Sequence, residues 1–229
     1  MVSRALAGES EGSPPQSVTT ASGRVRVGRR LSTFMPVERT AAIVLVATGT
    51  AATAEILQTA ADRLGLDAPR TLRRGRAGRP YLAHPNGDRW NVDFNISHSG
   101  DLLAIALGTP GPLGLDVQEE PRHGWERIGR RWLHAEEWAR ISALPPGEGR
   151  AQFTRTWAIR EARCKATGRG LAGFRSPTAL AQADAGTLDG VHWRELPMPD
   201  GYAGALACEG PPDWLARPLV ISWEDPWTG

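Results

Sequence analysis

The chain has 229 residues, of which 41% are hydrophobic and 23% are charged, and its formal net charge is +2. These are ordinary values for a globular protein, and so small an excess of positive charge gives no reason by itself to expect a nucleic-acid partner. No apolar run approaches the roughly 18 residues of a membrane span. The two cysteines are too few for a disulfide framework or a zinc site. We therefore expect a soluble protein of the reducing cytoplasm that makes no membrane contact.

The N-terminal segment over residues 1–36 is rich in serine, glycine, proline and arginine and has almost no periodic apolar pattern. Such a segment cannot bury enough apolar surface to offset the entropy that is lost on ordering, so we predict a disordered tail. The tail lacks the apolar stretch of a secretory signal. Met35 stands near its end and is a candidate for the true start of the protein.

The first regular pattern begins at residue 40. Residues 40–49 form a short apolar run that predicts a buried strand, and residues 53–66 carry apolar side chains at helical spacing. A basic loop is predicted over 67–82. Strands are predicted at 92–97, 102–108 and 112–118, with a His-Ser-Gly-Asp turn between the first two. Three strands in succession predict a β-meander.

The second half is predicted to be mainly helical before it returns to short strands. Helices are expected near 125–133, 135–144 and 152–166, and strands near 202–210 and 219–224. Because strand and helix segments occur in both halves, the sequence predicts the α+β class.

The helix over 152–166 carries the only lysine of the chain, Lys165, four residues after Glu161. On a helical wheel this pair falls between two apolar arcs, with Arg160, Arg163 and Thr156 on the opposite side. The simple interpretation is a solvated i, i+4 ion pair. The apolar flanks instead favour an inward-facing pair. Such a pair needs a metal, a phosphate or another acid as partner, because an unpaired buried charge is costly.

The strand over 112–118 places two oxygen-bearing side chains on one face. Because side chains alternate along a strand, Gly114, Asp116 and Gln118 point the same way. Taken alone, Asp116 fits a turn or a strand edge. If Asp116 meets Glu161, their carboxylates and the Gln118 amide form a hard-oxygen site of the kind that Mg²⁺ shares with phosphates and water. Gly114 is then expected to leave room beside it for a ligand.

Ser97 and His98 lie at the end of a predicted strand. A lone histidine is usually structural, and arginines usually cover a solvated face. A phosphate site is the alternative, because guanidinium groups bind phosphate bidentately. The arginines that favour it are Arg73, Arg74, Arg76 and Arg79 in the basic loop.

Three motifs, FNISHSG, GLDVQ and WAIREARCKATGRGL, occur in this order. Together with GRPYL and RRWLHAEEWARI they make residues 78–171 resemble a 4′-phosphopantetheinyl transferase of the Sfp type. The resemblance implies Mg²⁺-dependent transfer of the phosphopantetheine arm of coenzyme A to a serine of an apo acyl or peptidyl carrier protein, with release of 3′,5′-ADP. It also implies two similar α+β subdomains, over 37–112 and 113–225, related by a pseudo-two-fold axis with the active site at their interface.

The resemblance also assigns roles to individual residues. Asp116 and Glu161 match the family's Mg²⁺ ligands, and Glu161 also resembles the base for the carrier serine. Gln118 stands where many members have a glutamate ligand, so it keeps an oxygen and removes one negative charge. Lys165 matches the lysine at the transferring pyrophosphate, where an ammonium group can give up a proton and a guanidinium cannot. The positions that match cofactor contacts are His98, expected at the 3′-phosphate, with Ser97, Arg73, Arg74 and Arg79. Arg160 replaces a lysine of the family and keeps its charge.

The partner expected from the resemblance is a carrier protein, from polyketide, nonribosomal peptide or fatty acid synthesis. Carrier proteins are recognised through acidic helices, so Arg127, Arg130 and Arg131 are candidates for a basic docking surface. A chain that holds both halves favours a monomer. The competing hypothesis is a degenerate, non-catalytic protein that binds coenzyme A or a carrier and regulates a pathway. It is motivated by Gln118 and by the single arginine of the 53–66 helix. Nucleic-acid binding through the arginine-rich tail is a third hypothesis, which salt-sensitive DNA binding without transfer would favour.

Overall fold

The computed structural model describes residues 18–20, 23–26, 43–48, 71–74, 80–84, 86–88, 92–108, 112–209 and 219–224. Strands and helices are both present in these ranges, which confirms the α+β class. The strands are β1 (Val18–Thr20), β2 (Gly23–Arg26), β3 (Ile43–Thr48), β4 (Thr71–Arg74), β5 (Pro80–Ala83), β6 (Asp93–Ser99), β7 (Leu102–Gly108), β8 (Leu113–Glu119), β9 (Ala185–Leu188), β10 (Val191–Leu196), β11 (Tyr202–Cys208) and β12 (Leu219–Glu224). The helices are α1 (Trp125–Trp132), α2 (Ala135–Ser142) and α3 (Pro146–Thr167), and a short 3-10 turn covers Gly170–Gly173.

The first sheet has the strand order β1-β2-β12-β3-β7-β6. β12 runs parallel to β3, and β7 runs antiparallel to β3 on its other side. β6 and β7 form a hairpin through Gly100, whose φ of 55° lies in the left-handed region that favours glycine. The strands predicted near 40–49, 92–97, 102–108 and 219–224 are confirmed.

Other parts of the first half differ from the sequence predictions. β1 and β2 lie within residues 1–36, where composition predicted disorder, and β2 pairs with β12. β4 and β5 form a hairpin inside the stretch predicted as a loop. Both pairings use main-chain hydrogen bonds, which do not require an apolar periodicity. The helix predicted over 53–66 lies outside the described residues, and the division of the chain at residues 36 and 112 stays a prediction.

β8 does not complete a meander with β6 and β7, so that prediction is wrong. It pairs with β11 in a second sheet of order β8-β11-β10-β9. Four polar side chains at alternate positions of β6 accept hydrogen bonds from β8 main-chain N–H groups and join the two sheets. We call these contacts the side-chain ladder: Asp93 to Leu113 at 2.9 Å, Asn95 to Leu115 at 2.9 Å, Ser97 to Val117 at 3.1 Å and Ser99 to Glu119 at 2.9 Å. Because β6 side chains satisfy these N–H groups, a main-chain ladder does not form between β6 and β8.

α3 packs small side chains onto the second sheet. Ala158, Ala162 and Ala166 share a buried cluster with Trp193 of β10. The approach is closest at Gly114 of β8, where an added Cβ would overlap the Ala162 carbonyl oxygen and the Ala166 amide nitrogen. The expectation that Gly114 leaves room for a ligand is therefore wrong, because the backbone of α3 fills that space.

The three helices predicted in the second half are confirmed, and α3 begins earlier than expected. Proline in its first turn and Gly168, with φ of 66°, at its C-terminus are the usual signals for those two ends. α1 and α2 enclose an aromatic cluster that includes Trp125, Phe153 and Phe174. None of the helices in the described part of the chain is long and apolar enough to cross a membrane.

Candidate active site

One residue from each of β6, β8 and α3 meets in a buried polar cluster. The Lys165 ammonium donates to Asp116 Oδ1 at 2.7 Å and to Ser97 Oγ at 3.0 Å. The Ser97 hydroxyl in turn donates to Asp116 Oδ1 at 2.9 Å. Asp116 and Ser97 are buried, while the Lys165 side chain keeps 29% of its surface exposed. The structure therefore brings together residues that lie far apart in the sequence, and it leaves the lysine accessible from solvent.

The two carboxylate oxygens of Asp116 have different surroundings. Oδ1 receives both the lysine and the serine, whereas Oδ2 is buried and has no hydrogen-bond partner among the described residues. Burial raises the pKa of the Asp116 carboxyl above its usual range, although the charge and hydrogen bond of Lys165 and the Ser97 hydroxyl act in the opposite direction. A buried oxygen without a partner is costly. A cation bound at Oδ2 would remove that cost.

Glu161 lies one helical turn before Lys165 on α3 and is the second acid near its ammonium group. Burial, together with the nearby negative charge of Asp116, raises the pKa of the Glu161 carboxyl, and the charge of Lys165 partly offsets this. Among the described residues, two acids thus face one ammonium group. No group of three His, Cys, Asp or Glu side chains suited to a metal occurs in the part of the chain that the structure describes. The protein ligands of an ion at this place would be the two carboxylates.

Gln118 shares the β8 face of Asp116, as the alternation predicted. It is half-buried, and its amide nitrogen donates to Ser99 Oγ at 3.3 Å and to the Glu119 carbonyl at 3.2 Å. These contacts keep the amide next to the end of the side-chain ladder. Its role as a metal ligand stays a prediction.

Of the residues predicted to contact the cofactor, Ser97 and Lys165 lie in the cluster. His98 is exposed and points to the opposite side of β6 from Ser97, and Arg73 is exposed on β4. The Arg74 and Arg79 side chains lie outside the described residues. The roles of these residues also stay predictions.

A buried ion pair between Arg160 and Glu137 was not predicted from the sequence. Arg160 was placed on the side of α3 opposite Glu161, with no prediction of its burial or partner; its side chain is 0% exposed, and Glu137 of α2 is 1% exposed. The guanidinium donates to the two Glu137 oxygens at 2.9 and 2.6 Å and to the Phe174 carbonyl at 2.7 Å. Glu137 also accepts the Leu180 N–H at 2.7 Å. Its sequence position in the first turn of a helix gave no signal of this role, because acids are common there.

Three further polar side chains of α3 are buried or paired with neighbouring elements. Thr156 and Arg163 are buried as well, and Arg163 donates to the Leu188 carbonyl and to Asp189 at 3.0 and 3.1 Å. Arg155 pairs with Glu195 of β10 at 2.7 Å. The side of α3 opposite Glu161 is therefore covered by α2 and by the segment over 174–195, and Glu161 and Lys165 face the partly open side.

α1 carries the arginines that were predicted as a docking surface. We call Arg127, Arg130 and Arg131 the α1 arginines; all three are exposed, and they line a shallow groove with Gly124 and Glu126. The guanidinium groups of Arg131 and Arg175 lie 5.8 and 5.3 Å from the ring centre of Trp132. This face of the molecule is thus basic and includes one aromatic side chain.

The fold and the cluster define an α+β protein in which two acids and a lysine meet between a strand and a helix. Residues 112–193, which include β8 and all three described helices, match the family model of the 4′-phosphopantetheinyl transferase superfamily. The resemblance seen in the motifs is thereby confirmed over residues 112–193.

Individual relatives agree with the family match. A putative 4′-phosphopantetheinyl transferase, slr0495, of Synechocystis sp. is 32% identical over 159 residues, covering 65% of this chain and 60% of the relative. The 4′-phosphopantetheinyl transferase HetI of Nostoc sp. is 32% identical over 146 residues, covering 58% of each. AcpT of Escherichia coli K12 is 34% identical over 95 residues, covering 41% of this chain and 47% of the relative. The matched part thus spans about half to three-fifths of these relatives.

Proposed function

We propose that this protein transfers the 4′-phosphopantetheine arm of coenzyme A to a serine of an apo acyl or peptidyl carrier protein, in a Mg²⁺-dependent reaction that releases 3′,5′-ADP. The observation that carries the proposal is the buried Asp116, whose Oδ2 lacks a partner among the described residues and which lies beside Glu161 and Lys165. This cluster falls within the segment that matches the transferase superfamily.

The donor set of the cluster fits Mg²⁺. Asp116 offers a buried carboxylate oxygen, Glu161 adds a second carboxylate, and Mg²⁺ prefers oxygen ligands while it keeps several waters or phosphate oxygens. When bound, the ion neutralises charge on the pyrophosphate of coenzyme A. Gln118 has an amide in place of a carboxylate, so we expect it to support the ion less strongly than a glutamate would.

Glu161 is proposed as the base of the reaction. The carrier serine oxygen forms a bond to the phosphorus that bears the pantetheine arm, and the bond from that phosphorus to the bridging oxygen of 3′,5′-ADP breaks. The serine proton passes to the Glu161 carboxylate, directly or through a water. A pKa above the usual range of a glutamate makes this carboxylate a stronger base.

Lys165 is proposed to stabilise the departing oxygen of 3′,5′-ADP. Its ammonium group lies 2.7 Å from Asp116 Oδ1 and is partly exposed, so a bound pyrophosphate can reach it. A positioned cation near the developing negative charge lowers the barrier. An ammonium group can also donate a proton to the leaving oxygen, which is why we expect lysine at this place in a chain whose other strongly basic side chains are arginines.

Substrate binding is proposed to use the outer surface. Exposed His98 is the proposed contact for the 3′-phosphate of coenzyme A, with Arg73, Arg74 and Arg79 as further phosphate contacts. The α1 arginines are the proposed docking surface for an acidic helix of the carrier, because all three are exposed on one short helix. We propose that the protein acts as a monomer in the cytoplasm.

The second candidate function is that of a non-catalytic protein that binds coenzyme A or a carrier. The observation in its favour is Gln118, which has no negative charge and whose amide nitrogen is bonded to Ser99 and the Glu119 main chain. Such a protein would bind coenzyme A and leave the carrier unmodified.

The two functions are separated by intact-mass measurement of apo carrier proteins incubated with this protein, coenzyme A and Mg²⁺. Transfer predicts a mass gain of one phosphopantetheine arm that disappears with Glu161→Ala and without metal. The absence of a gain on acyl, peptidyl and fatty acid carriers, with coenzyme A still bound in calorimetry, would support the non-catalytic function instead.

A further inference from the structure

The Ser97 hydroxyl connects the three elements that form the cluster. It accepts the Val117 N–H at 3.1 Å, donates to Asp116 Oδ1 at 2.9 Å and accepts from Lys165 Nζ at 3.0 Å. A hydroxyl group has one donor and two acceptor positions, so these three contacts use its full capacity. Ser97 is only 6% exposed, and water has little access to replace any of them.

The position of Ser97 in the side-chain ladder explains how it reaches the cluster. The ladder fixes β6 against β8 by bonds to every second N–H of β8, and Ser97 bonds the N–H of the residue that follows Asp116. Its oxygen is therefore held at a fixed place beside the Asp116 carboxylate. At this place the oxygen also accepts a hydrogen bond from the ammonium group of Lys165, which belongs to α3. The hydroxyl thus links the first sheet to Asp116 and Lys165, two side chains in the second half of the chain.

We propose that Ser97 is a positioning residue, which acts through Asp116 and Lys165. Its hydroxyl fixes the rotation of the Asp116 carboxylate, so that Oδ1 faces Lys165 and Oδ2 stays available to a cation. The same hydroxyl holds the ammonium group of Lys165 in place before substrate binds. This inference rests on the proposed function, and the predicted contact of Ser97 with coenzyme A is an outcome that the test below distinguishes from it.

The test compares Ser97→Ala with Ser99→Ala. Each variant removes one hydroxyl from the same strand and one bond of the side-chain ladder, but the Ser99 hydroxyl bonds the Glu119 N–H and the Gln118 amide and is not bonded to Asp116 or Lys165. Mg²⁺ binding is measured by calorimetry without coenzyme A, coenzyme A binding is measured without metal, and thermal unfolding reports folding.

If Ser97 is a positioning residue, its replacement should weaken Mg²⁺ binding and leave coenzyme A binding nearly unchanged. Ser97→Ala should weaken Mg²⁺ binding about tenfold, as is typical when a group that orients a metal ligand is lost, and should lower kcat by a similar factor. Binding of coenzyme A without metal should stay within about twofold, and Ser99→Ala should weaken Mg²⁺ binding by no more than about threefold, because its hydroxyl contacts only the neutral Gln118 amide and the Glu119 main chain. Ser97→Thr, which keeps the hydroxyl, should recover Mg²⁺ binding to within about threefold.

Three results would overturn the proposal. Weaker coenzyme A binding with unchanged Mg²⁺ binding would make Ser97 a cofactor contact. Equal losses of Mg²⁺ affinity in Ser97→Ala and Ser99→Ala would assign the effect to the side-chain ladder as a whole. Equal losses in Ser97→Thr and Ser97→Ala would exclude the hydroxyl as the cause. The Mg²⁺ measurements keep their meaning if no carrier is modified, so a failure of the proposed function remains distinguishable from a failure of this inference.

Discussion

Asp116, Glu161 and Lys165 form a cluster of two acids and one ammonium group in the described part of the chain. The ammonium of Lys165 is directed to Asp116 Oδ1, while Asp116 Oδ2 remains buried without a described partner. The burial that makes this arrangement costly also makes the carboxylates stronger bases and better cation ligands. At the scale of single residues, this arrangement lowers the stability of the free protein and favours cation binding and proton transfer.

The first prediction concerns Glu161 and pH. Because burial and Asp116 raise its pKa in the folded protein, the unfolded chain ionises this group first, and the cost to folding appears as pH rises above about 4.3, the ordinary pKa of a glutamate. The cost is complete above the raised pKa and absent well below the ordinary one. Glu161→Gln should therefore raise the melting temperature at pH 7 in metal-free buffer, modestly because the group is partly solvated, and this gain should vanish toward pH 4.

Exposed Glu209 provides the control for this measurement, since Glu209→Gln removes the same charge from the surface. The control should leave the melting temperature unchanged across the same pH range. A pH-independent gain in Glu161→Gln, or an equal gain in the control, would contradict the account.

Sequence patterns could predict the residues of the cluster but not all of their contacts. Strand alternation put Asp116 and Gln118 on one face, and the helical wheel put Glu161 and Lys165 between apolar arcs, because both depend on local geometry alone. The bond from Ser97 to Asp116 depends on which strand lies beside β8, which no local pattern contains. The burial of Arg160 was missed for the same reason, since its partner Glu137 belongs to another helix.

At the scale of elements, the distance between β8 and α3 decides whether the cluster forms. Gly114 allows the α3 backbone to contact the strand directly, and Asp116 lies two residues further along that strand. The ion pair of Arg160 with Glu137 ties the other side of α3 to α2. α3 is thus held from two sides, and its acid and its lysine approach β8 as a consequence.

Gly114→Ala tests the close approach. The new methyl group would overlap main-chain atoms of Ala162 and Ala166, which cannot move as a flexible side chain would, so α3 must shift. We expect a loss of about 1–3 kcal/mol in unfolding free energy, as for other overpacked sites, and weaker Mg²⁺ binding. Urea unfolding and calorimetry measure the two effects.

Gly147→Ala is the matched control, because an added Cβ there meets nothing within 4 Å and Gly147 lies in the first turn of α3. This change should leave Mg²⁺ binding intact and should not destabilise the protein, since alanine favours helix more than glycine does. A Gly114→Ala protein as stable as the control and with normal metal affinity would show that the close approach is dispensable.

Arg160→Lys tests the buried ion pair. Lysine keeps the charge but cannot form the two parallel bonds to Glu137 or reach the Phe174 carbonyl at the same time. We expect a loss of about 1–3 kcal/mol, because hydrogen bonds to charged groups are worth that much. Arg160→Leu should cost about 3–5 kcal/mol, since it leaves the Glu137 charge buried and unpaired. Denaturant midpoints compare the variants.

Arg155→Lys serves as the reference for the Arg160 variants. The Arg155 side chain is 40% exposed and pairs with Glu195, so its replacement should cost less than about 1 kcal/mol. Similar losses of unfolding free energy in Arg155→Lys and Arg160→Lys would mean that burial does not strengthen the Arg160–Glu137 pair.

At the scale of the whole molecule, the side-chain ladder joins two sheets and the cluster lies at their junction. β6, β7 and β8 were predicted as strands from their apolar patterns. The assignment of β8 to the second sheet was not, because Asp93, Asn95 and the two serines of β6 resemble any polar face of a strand until a second edge is placed against them. The partner surface belongs to this scale as well, since the α1 arginines lie on a short helix outside both sheets.

The combined variant Arg127→Glu with Arg131→Glu tests the docking surface. Charge reversal on an exposed face should slow association with an acidic carrier, so we expect the carrier KM to rise about tenfold and the coenzyme A KM to stay within about twofold. The variant Gln182→Glu with Ala183→Glu adds negative charge to exposed positions beside Asp184 and should leave both constants unchanged. An unchanged carrier KM in the first variant would remove the α1 arginines from the interface.

The most direct test of the central claim is the intact mass of an apo carrier after incubation with coenzyme A, Mg²⁺ and each of four folded variants. If Asp116, Glu161 and Lys165 form the transferase centre, Asp116→Asn, Glu161→Gln and Lys165→Met should leave the carrier unmodified. Arg155→Lys, at a side chain bonded to Glu195 and Asp184 and not to the cluster, should add one phosphopantetheine arm as fully as the original protein does. Full modification of the carrier by the Glu161→Gln protein would contradict the account.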